Sequence, residues 1–528
     1  MAVKARNITV TLILTAPLLC ALWYITVFAY QYGWQWIDSE HSAEMVLGKL
    51  LADEHALLSA NWYYSNEIRL VYQTIFTMPL FKLLGRYENW ALIRSVNILF
   101  NNIVLIASYL FLTKSMRITA KWSLITSLFL LMPLSITYWD IVTFGGYYIF
   151  FIAQLFCCLG LCIRLVSREG VSNARRIDFV LFMLLSLVLG IQGIRALFAV
   201  SIPLCAACLY VWRGKKKRPL IYGGLGLAAC CAGYMVNNFL HNIYRFRSYE
   251  TMRLDNIAAN LLSKLSQSLA NIAGFFGYSA GNPVLSARGF FSAAAVIAAI
   301  IVMRVLYTAI CQARRLSEPP LMPVFFAVSL AFNILVFVIV NQSIQARYFI
   351  PFMVLYVPLA AVFCEQDGKT YKPLKRVMVC AIMLCIFGQG CLNFHSLAAR
   401  DINSNRKGYI QYLLNHRLKY GFATLMNANV TTELTSGAVE VAGLDPRIQS
   451  GVDSRPFKLY DYLNKVNYND PYYYPGESFV LLTHDEWDST GRRRAFAGGM
   501  PAYEDSHFVI IRYPSAQIIR QDLVDSAR

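Results

Sequence analysis

Apolar runs long enough to cross a membrane recur along most of this chain, and they constrain its fold more than any other feature. A helix needs about 20 apolar residues to span the hydrocarbon layer of a bilayer. Runs of that kind recur from Ile8 to residue 394. The 528 residues are 57% hydrophobic and only 15% charged, which is too apolar for an ordinary soluble domain. The sequence therefore predicts an α-helical polytopic membrane protein.

The excess of basic residues indicates which loops face the cytoplasm. The formal net charge is +18, but Lys and Arg are concentrated in short loops between apolar runs, as the positive-inside rule describes. Because the membrane explains this distribution, we expect membrane lipids as partners and no nucleic acid. The basic loops cover residues 4–6, 114–121, 164–176, 213–218, 314–315 and 369–376.

One arrangement of the helices puts every basic loop on the cytoplasmic side. If Glu67–Gly85 crossed the bilayer, three basic loops would lie outside, whereas Arg69, Lys82 and Pro79 suit a helix lying along the membrane surface. We therefore expect residues 31–89 to form one outer loop with interfacial helices, and the N-terminus to be cytoplasmic. About eleven transmembrane helices are then expected, near 8–30, 90–112, 122–138, 146–164, 178–194, 196–212, 219–240, 289–310, 321–341, 346–364 and 377–394.

The chain changes character after Asn393. Residues 395–528 are polar and contain short β-like runs at 438–444, 479–484 and 508–514. None of the 13 cysteines falls in this segment; all lie in or beside apolar runs, where we expect them to act as small packing residues. We expect a transmembrane domain over residues 1–394 and a small extracytoplasmic α/β domain over residues 395–528.

Ionisable residues gather where the chain is expected to leave the outer face of the membrane. Such groups are costly at that depth and are usually functional. Each acid could instead be a solvated surface charge, and Arg195 could extend to lipid headgroups. His41 is expected to be a surface histidine rather than a metal ligand. The candidate site residues are Asp38, Glu40, Glu44, Asp140, Arg195 and Arg347.

Carboxylates beside arginines at a lipid–water boundary suit one kind of chemistry. A carboxylate can accept the proton of an acceptor hydroxyl as a general base. An arginine can bind a phosphate through several donors and stabilise negative charge that develops on it. The combination predicts a substrate in which a sugar is carried on a lipid phosphate.

The order and sidedness of these motifs resemble the GT-C class of integral membrane glycosyltransferases. The similarity is to the bacterial branch that includes aminoarabinose transferases and protein mannosyltransferases. The stretch WIDSEHSAEMVLGKLL is similar to the acidic motif after the first helix of that class, with Asp38 and Glu44 at matching positions. Ser39 stands where the family has an adjacent second acid, and Glu40 follows it. Trp90–Arg94, which reads W-x-x-x-R, is similar to the Trp and Arg at the family's entry to the next crossing.

Three further motifs extend this resemblance over the membrane part of the chain. YWDIVTFGGYY places Asp140 where the family has an Asp in its second outer loop. GIQGIRALFAVSIPL resembles a Gly-rich turn with a basic residue and a downstream proline, here Arg195 and Pro203. In the family that basic residue contacts the lipid phosphate. ARYFIPF, which contains Arg347, is similar to a recurrent Arg-Tyr-x-x-Pro.

The resemblance implies an inverting glycosyltransferase of the bacterial cell membrane. Its donor would be a polyprenyl-phosphate sugar, and its acceptor a glycan, lipid or protein of the cell envelope. Some relatives use a divalent cation and others none. The implied roles are Asp38 as general base, Glu40 or Glu44 assisting or positioning it, Asp140 orienting the acceptor or a cation, and Arg195 and Arg347 holding the donor phosphate.

Two other functions are compatible with the same sequence. A polytopic transporter or lipid-linked sugar flippase would carry ionisable residues and broken helices near the bilayer midplane, often with internal repeats. No internal repeat is visible in this chain. A non-catalytic assembly or sensor protein would instead use its external domain to bind envelope polymer.

Overall fold

The computed structural model describes most of the chain. The described residues are 2–65, 70–167, 173–212, 217–246, 257–275, 321–339, 345–370, 373–444, 459–488 and 498–525, with shorter pieces between 278 and 300 and at residue 496. The first helices are α1 (Ala2–Tyr32), α2 (Ser39–Glu54), α3 (Thr74–Leu84), α4 (Trp90–Ser115), α5 (Ala120–Leu131), α6 (Ile149–Ser167) and α7 (Asn173–Ile191). They are followed by α8 (Ile202–Val211), α9 (Arg218–Leu240), α10 (Ile257–Phe275), α11 (Leu321–Ile339), α12 (Tyr356–Thr370) and α13 (Pro373–Ala399).

The apolar helices make this chain a multi-pass membrane protein. Within the described residues, six helical stretches are long and apolar enough to cross a bilayer, or seven if one bent pair counts as a single span. Most of the crossing predicted at 289–310 lies outside the described residues, so the total of eleven stays a prediction. The six are Ile13–Gln35, Trp90–Ser115, Ile149–Ser167, Ile194–Val211, Arg218–Leu240 and Leu321–Ile339.

Helix α1 illustrates how these spans are built. Leu19 and Trp23 are 60% and 69% exposed, although both are large and apolar. Ile25 and Phe28, further along the helix, are buried in the main hydrophobic cluster. An apolar surface of this kind is unfavourable in water but suits contact with lipid chains.

The segment predicted as a crossing at 122–138 is not one straight helix. Helix α5 ends at Leu131, and the chain bends by 97° before the helical arm Ile136–Thr143. Pro133 explains the break, because it lacks a backbone N–H and disfavours helical geometry in the residue before it. Met132 is accordingly extended, with φ −75° and ψ 138°. The bend carries Asp140 back toward helix α2.

The segment over residues 31–89, predicted to be one outer loop, contains two helices that are too short to cross the bilayer. Helix α2 has 16 residues and helix α3 has 11, whereas a span needs about 20. The start of the interfacial helix predicted at 67–85 lies outside the described residues. The length of α2 and α3 excludes a crossing by either helix, and their interfacial location stays a prediction.

The C-terminal region forms the expected small sheet. The strands β3 (Tyr420–Thr424), β4 (Glu440–Leu444) and β6 (Ser478–Thr483) are parallel. Strand β8 (Phe508–Tyr513) pairs antiparallel with β6, and β7 (Met500–Glu504) pairs antiparallel with β8. Their order is β4-β3-β6-β8-β7. The helices α14 (Lys407–Asn415), α15 (Leu425–Leu434) and α16 (Ala516–Asp525) accompany it. These strands confirm the three predicted β-like runs.

A second, three-stranded sheet joins distant parts of the chain. Strand β1 (Trp62–Tyr64), in the segment over residues 31–89, pairs with β2 (Arg245–Phe246) and with β5 (Asn464–Lys465) of the C-terminal region. Helix α15 also packs on helix α2. The C-terminal region is therefore joined to the segment over residues 31–89 by backbone hydrogen bonds and by helix packing.

Candidate active site

The first turn of helix α2 positions Asp38. Asp38 is the N-cap residue, and its carboxylate accepts a hydrogen bond of 2.8 Å from the backbone N–H of His41. Capping of this kind satisfies one of the helix's unpaired N–H groups. The same oxygen lies 2.9 Å from Nδ1 of the His41 ring. Asp38 is thus held at two points while 45% of its side chain stays exposed.

His41 is buried, and the expectation of a surface histidine is wrong. It is only 3% exposed, and its Nε2 lies 3.1 Å from the backbone carbonyl of Asp140. A carbonyl only accepts hydrogen bonds, so Nε2 carries a proton and donates it. The ring consequently links Asp38 to the chain at Asp140.

The pair shifts the pKa values of both side chains. Burial by itself would lower the pKa of His41, but the charge of Asp38 and the contact with it raise this pKa to about 9. Burial alone would raise the pKa of Asp38, but the charge of His41 and hydrogen bonds lower that pKa well below its usual range. At neutral pH the pair is therefore an imidazolium and a carboxylate.

Two glycines make room for this contact. A Cβ atom at Gly145 would lie 1.9 Å from the carbonyl oxygen of Asp140 and 2.7 Å from His41 Nε2. Gly146 has a φ of +67°, a conformation that favours glycine. The FGGYY stretch therefore lets the turn after Asp140 close around His41. In the sequence, the two adjacent glycines were the only sign of this close contact.

A cavity of about 370 Å³ brings four of the six candidate residues together. Asp38, Glu40, Asp140 and Arg347 all line it, with the half-buried Tyr147 in the same wall. Its volume falls in the range of about 300–1,000 Å³ that is typical of small-molecule sites. Residues far apart in the sequence thus form one charged cavity beside the first turn of helix α2.

Arg347 is the cationic side of this cavity. It lies on a short 3-10 helix, Ala346–Phe349, and its Nη1 is 3.9 Å from an oxygen of Glu40. The two side chains are 36% and 45% exposed. Its Nε is buried and has no hydrogen-bond partner in the described part of the chain. A guanidinium with an unsatisfied donor is well suited to binding an anionic ligand.

Arg195 lies outside the lining of this cavity. It follows the tight turn predicted between two crossings, where Gly193 has a φ of +110°. Its Nη1 donates a hydrogen bond of 2.7 Å to the Tyr148 hydroxyl. Tyr148 is buried and also interacts electrostatically with Arg347. Tyr148 is therefore the described side chain that connects the two arginines.

Glu44 also lies outside the lining of the cavity. It is one turn beyond Glu40 on helix α2, and its carboxylate acts electrostatically on Tyr64 and Tyr147. Its effect on the cavity is therefore indirect, through Tyr147. The part of the chain described by the structure contains no group of three or more His, Cys, Asp or Glu side chains that could hold a metal ion.

Sequence reasoning did not find the buried ion pair behind the site. Arg94, in helix α4, donates bidentate hydrogen bonds of 2.6 and 2.7 Å to Glu433 of helix α15. Its Nη2 also donates to the backbone carbonyl of His41 at 2.9 Å. The only signal in the sequence was the Trp90–Arg94 motif, W-x-x-x-R. The pair ties the C-terminal region to the helix that carries Asp38.

Comparison with known proteins identifies the fold. No protein-family model and no curated protein sequence matches the chain. The apo structure of ArnT from Cupriavidus metallidurans is similar over 97% of this chain and 99% of ArnT, with a TM-score of 0.57 and 10% sequence identity. The apo oligosaccharyltransferase of Archaeoglobus fulgidus is similar over 94% of this chain and 74% of its own, with a TM-score of 0.50 and 8% identity. The chain therefore has the fold of the GT-C membrane glycosyltransferases, which confirms the resemblance stated from its motifs.

Proposed function

We propose that this protein is a membrane glycosyltransferase that moves a sugar from a polyprenyl-phosphate donor to an acceptor of the bacterial cell envelope. The observation that carries the proposal is the cavity in which Asp38, Glu40 and Asp140 face Arg347. Carboxylates and a cation in one cavity supply both a base and a phosphate-binding group. The fold supports the same function, because the similar solved structures include glycosyltransferases.

Asp38 acts as the general base in the proposed reaction. Its low pKa keeps the carboxylate ionised at neutral pH, so it can accept the proton of an acceptor hydroxyl. The hydroxyl oxygen forms a bond to the anomeric carbon of the sugar as the bond from that carbon to the phosphate oxygen breaks. Attack from the side opposite the phosphate inverts the configuration. The low pKa makes Asp38 a weak base, which suffices once bond formation has made the hydroxyl proton acidic.

Arg347 and Arg195 hold the donor phosphate in this proposal. Negative charge develops on the phosphate as the sugar leaves, and guanidinium donors stabilise such charge. The Nε of Arg347, which has no hydrogen-bond partner among the described residues, supports its role. Arg195 lies outside the cavity lining and donates a hydrogen bond to the hydroxyl of Tyr148. Asp140 orients the acceptor. The negative charges of Glu40 and Glu44 act on the electrostatic potential at Asp38 and so assist it.

A divalent cation is an open element of the proposal. Carboxylates such as Asp38, Glu40 and Asp140 are oxygen ligands of the kind that Mg²⁺ and Ca²⁺ prefer. Arg347 and the imidazolium of His41 lie in the same wall and disfavour a cation there. Activity measured with excess EDTA decides the matter: full activity excludes a requirement for the metal, and loss restored by Mg²⁺ or Mn²⁺ establishes it.

The transfer is proposed to take place on the outer face, with a cytoplasmic N-terminus and an extracytoplasmic C-terminal region. In a variant whose native cysteines are replaced, Ser506→Cys in the exposed end of the C-terminal sheet should react with a membrane-impermeant thiol reagent. Ser115→Cys, beside the basic loop after helix α4, should be shielded in intact cells. Labelling of Ser115→Cys from outside would overturn this orientation.

A deletion strain tests the proposed function directly. The envelope glycans, lipids and glycoproteins of the deletion strain are compared with those of the parent by mass spectrometry. We expect one sugar to be missing and to return on complementation with the wild-type chain. An envelope unchanged in every glycan class would argue against a transferase.

A lipid-linked sugar flippase is the second candidate. The broken helices around Met132 and Ala346–Met353 favour it, since such breaks are common in transporters. A flippase does not need a general base. If Asp38→Asn restored the missing sugar in the deletion strain as well as the wild type does, the flippase would be the better explanation.

A further inference from the structure

A second cavity lies beside the one that holds Asp38. Its volume is about 350 Å³, and Thr137 and Ala346 belong to the walls of both cavities. A molecule in the second cavity would therefore lie next to a molecule in the first. The second cavity is also formed by the end of helix α10 and by helix α13.

The lining of this second cavity is polar but almost uncharged. Amide and hydroxyl side chains of Asn271, Gln389, Asn393 and Ser396 contribute to it. Of its described lining residues, Arg288 alone carries a charge at neutral pH. Amides and hydroxyls both donate and accept hydrogen bonds. A molecule that does the same at many positions, such as a sugar ring, matches this lining.

A chain of hydrogen bonds sets the orientation of Gln389. Asn393 Nδ2 donates to the backbone carbonyls of Pro133 and Leu134 at 2.7 and 3.2 Å, and these carbonyls can only accept. Asn393 Oδ1 therefore faces Gln389 and accepts from its Nε2 at 3.3 Å. Gln389 Oε1 is left as a buried acceptor without a hydrogen-bond partner among the described residues. A buried acceptor in this state is unfavourable, and a ligand hydroxyl would satisfy it.

Arg288 determines which charge the ligand can carry. Its Nη2 donates a hydrogen bond of 2.6 Å to the Ser396 hydroxyl, which places the guanidinium at the cavity wall. No carboxylate belongs to the described lining. An ammonium group on a ligand in this cavity would be repelled by Arg288 and would find no counterion among the described lining residues, whereas an uncharged hydroxyl would be accepted.

We infer that this cavity binds a hexose ring that carries no amino group. The inference rests on the proposed function, because it places the ring beside the cavity where transfer occurs. The ring could be the sugar of the donor or the first sugar of the acceptor. Both present the same hydroxyl chemistry to Gln389 and its neighbours.

Saturation-transfer NMR on the full-length protein in detergent tests the inference without any need for turnover. Free mannose and free glucosamine are the probes, at a pH where the amino group is protonated. We expect signal transfer to the mannose ring protons and only background transfer to glucosamine. Gln389→Leu keeps the side chain's approximate size but removes its amide, and it should reduce the mannose signal to background. Gln411→Leu, the same change at an exposed position of helix α14, should leave that signal unchanged.

A charge-reversal variant guards against misfolding of Gln389→Leu. Arg288 is exposed, so Arg288→Glu should fold, and it should reverse the preference so that glucosamine gives the stronger signal. Equal signals for the two sugars in the wild type, or an unchanged preference in Arg288→Glu, would overturn the inference. An inactive protein that still binds mannose would refute the proposed function only.

A competitor assigns the sugar to donor or acceptor. Polyprenyl-phosphate mannose is added to the protein with free mannose, and polyprenyl phosphate alone serves as the control. If only the sugar-bearing lipid abolishes the free-mannose signal, the cavity holds the donor's sugar. A signal that persists with that lipid bound assigns the cavity to the acceptor. Either result supports the site.

Discussion

Two pairs of opposite charges meet the first turn of helix α2, and their environments differ. Arg94 and Glu433 are 6% and 5% exposed and form two short hydrogen bonds. Arg347 and Glu40 are 36% and 45% exposed and 3.9 Å apart. The buried pair satisfies its own charges, whereas the cavity pair leaves donors and acceptors for a ligand. Charge therefore stabilises the fold on one side of the turn and is available for chemistry on the other.

The largest effect should come from Asp38, on the cavity side. Asp38→Asn keeps the size of the side chain but removes its ability to accept a proton, so kcat should fall by roughly 10²- to 10⁴-fold. Turnover of a polyprenyl-phosphate sugar by purified protein measures this. Asp53→Asn, at an exposed position of the same helix, should change kcat by less than about twofold. Activity of Asp38→Asn within a few-fold of wild type would move the base to Glu40, Glu44 or Asp140.

The buried pair should affect stability more than any single charge in the cavity does. Glu433→Ala leaves Arg94 buried and unpaired, which typically costs about 3–5 kcal/mol. Thermal unfolding of the purified protein measures the loss. Glu477→Ala breaks the exposed pair with Arg512 and should cost no more than about 1 kcal/mol.

A double variant refines this prediction. Replacing Arg94 and Glu433 together by Met removes both charges, and it should be more stable than Glu433→Ala alone. A double variant less stable than the single one would mean that the hydrogen bond from Arg94 to the carbonyl of His41 is the more important contact.

The contact between Asp38 and His41 should make stability depend on pH. The pKa of His41 in the folded chain, about 9, is above its ordinary value, so its stabilising contribution is complete below about pH 6.5. The contribution is lost as the pH rises through 9, and its size is on the order of 3 kcal/mol. The lowered pKa of Asp38 affects stability only in acid. Melting temperatures between pH 7 and pH 10 should fall more steeply for the wild type than for His41→Gln, and parallel curves would contradict the prediction.

The smallest expected effect comes from replacing Arg195 or Arg347, the two arginines proposed to hold the donor phosphate. Hydrogen bonds to charged groups contribute about 1.5–3 kcal/mol, so Arg195→Ala and Arg347→Ala should each weaken use of the donor about ten- to a hundred-fold. Arg195→Lys should be tolerated better, because the charge survives. If both residues act on one phosphate, the double variant should be non-additive. Normal kinetics for Arg195→Ala would leave Arg347 as the phosphate ligand and Arg195 as a support for Tyr148.

The features that the sequence predicted well depend on local composition. The apolar runs, the basic loops between them and the three C-terminal strands follow from hydropathy, charge and residue type within short windows. The tight turn at Gly193 was predictable for the same reason, since almost no residues separate two apolar runs. The break at Pro133 was present in the sequence, but the apolar run continues through it and obscured the bend.

Tertiary structure decided which charged residues meet. Asp38, Asp140 and Arg347 are widely separated in the sequence, and only the fold places them around one cavity. The burial of His41 depends on the turn after Asp140, which no pattern within helix α2 could indicate. Arg94 and Glu433 are 339 positions apart, so their pairing has no local signature. Local propensity determines the helices and strands, whereas burial and the pairing of charges depend on contacts between distant segments.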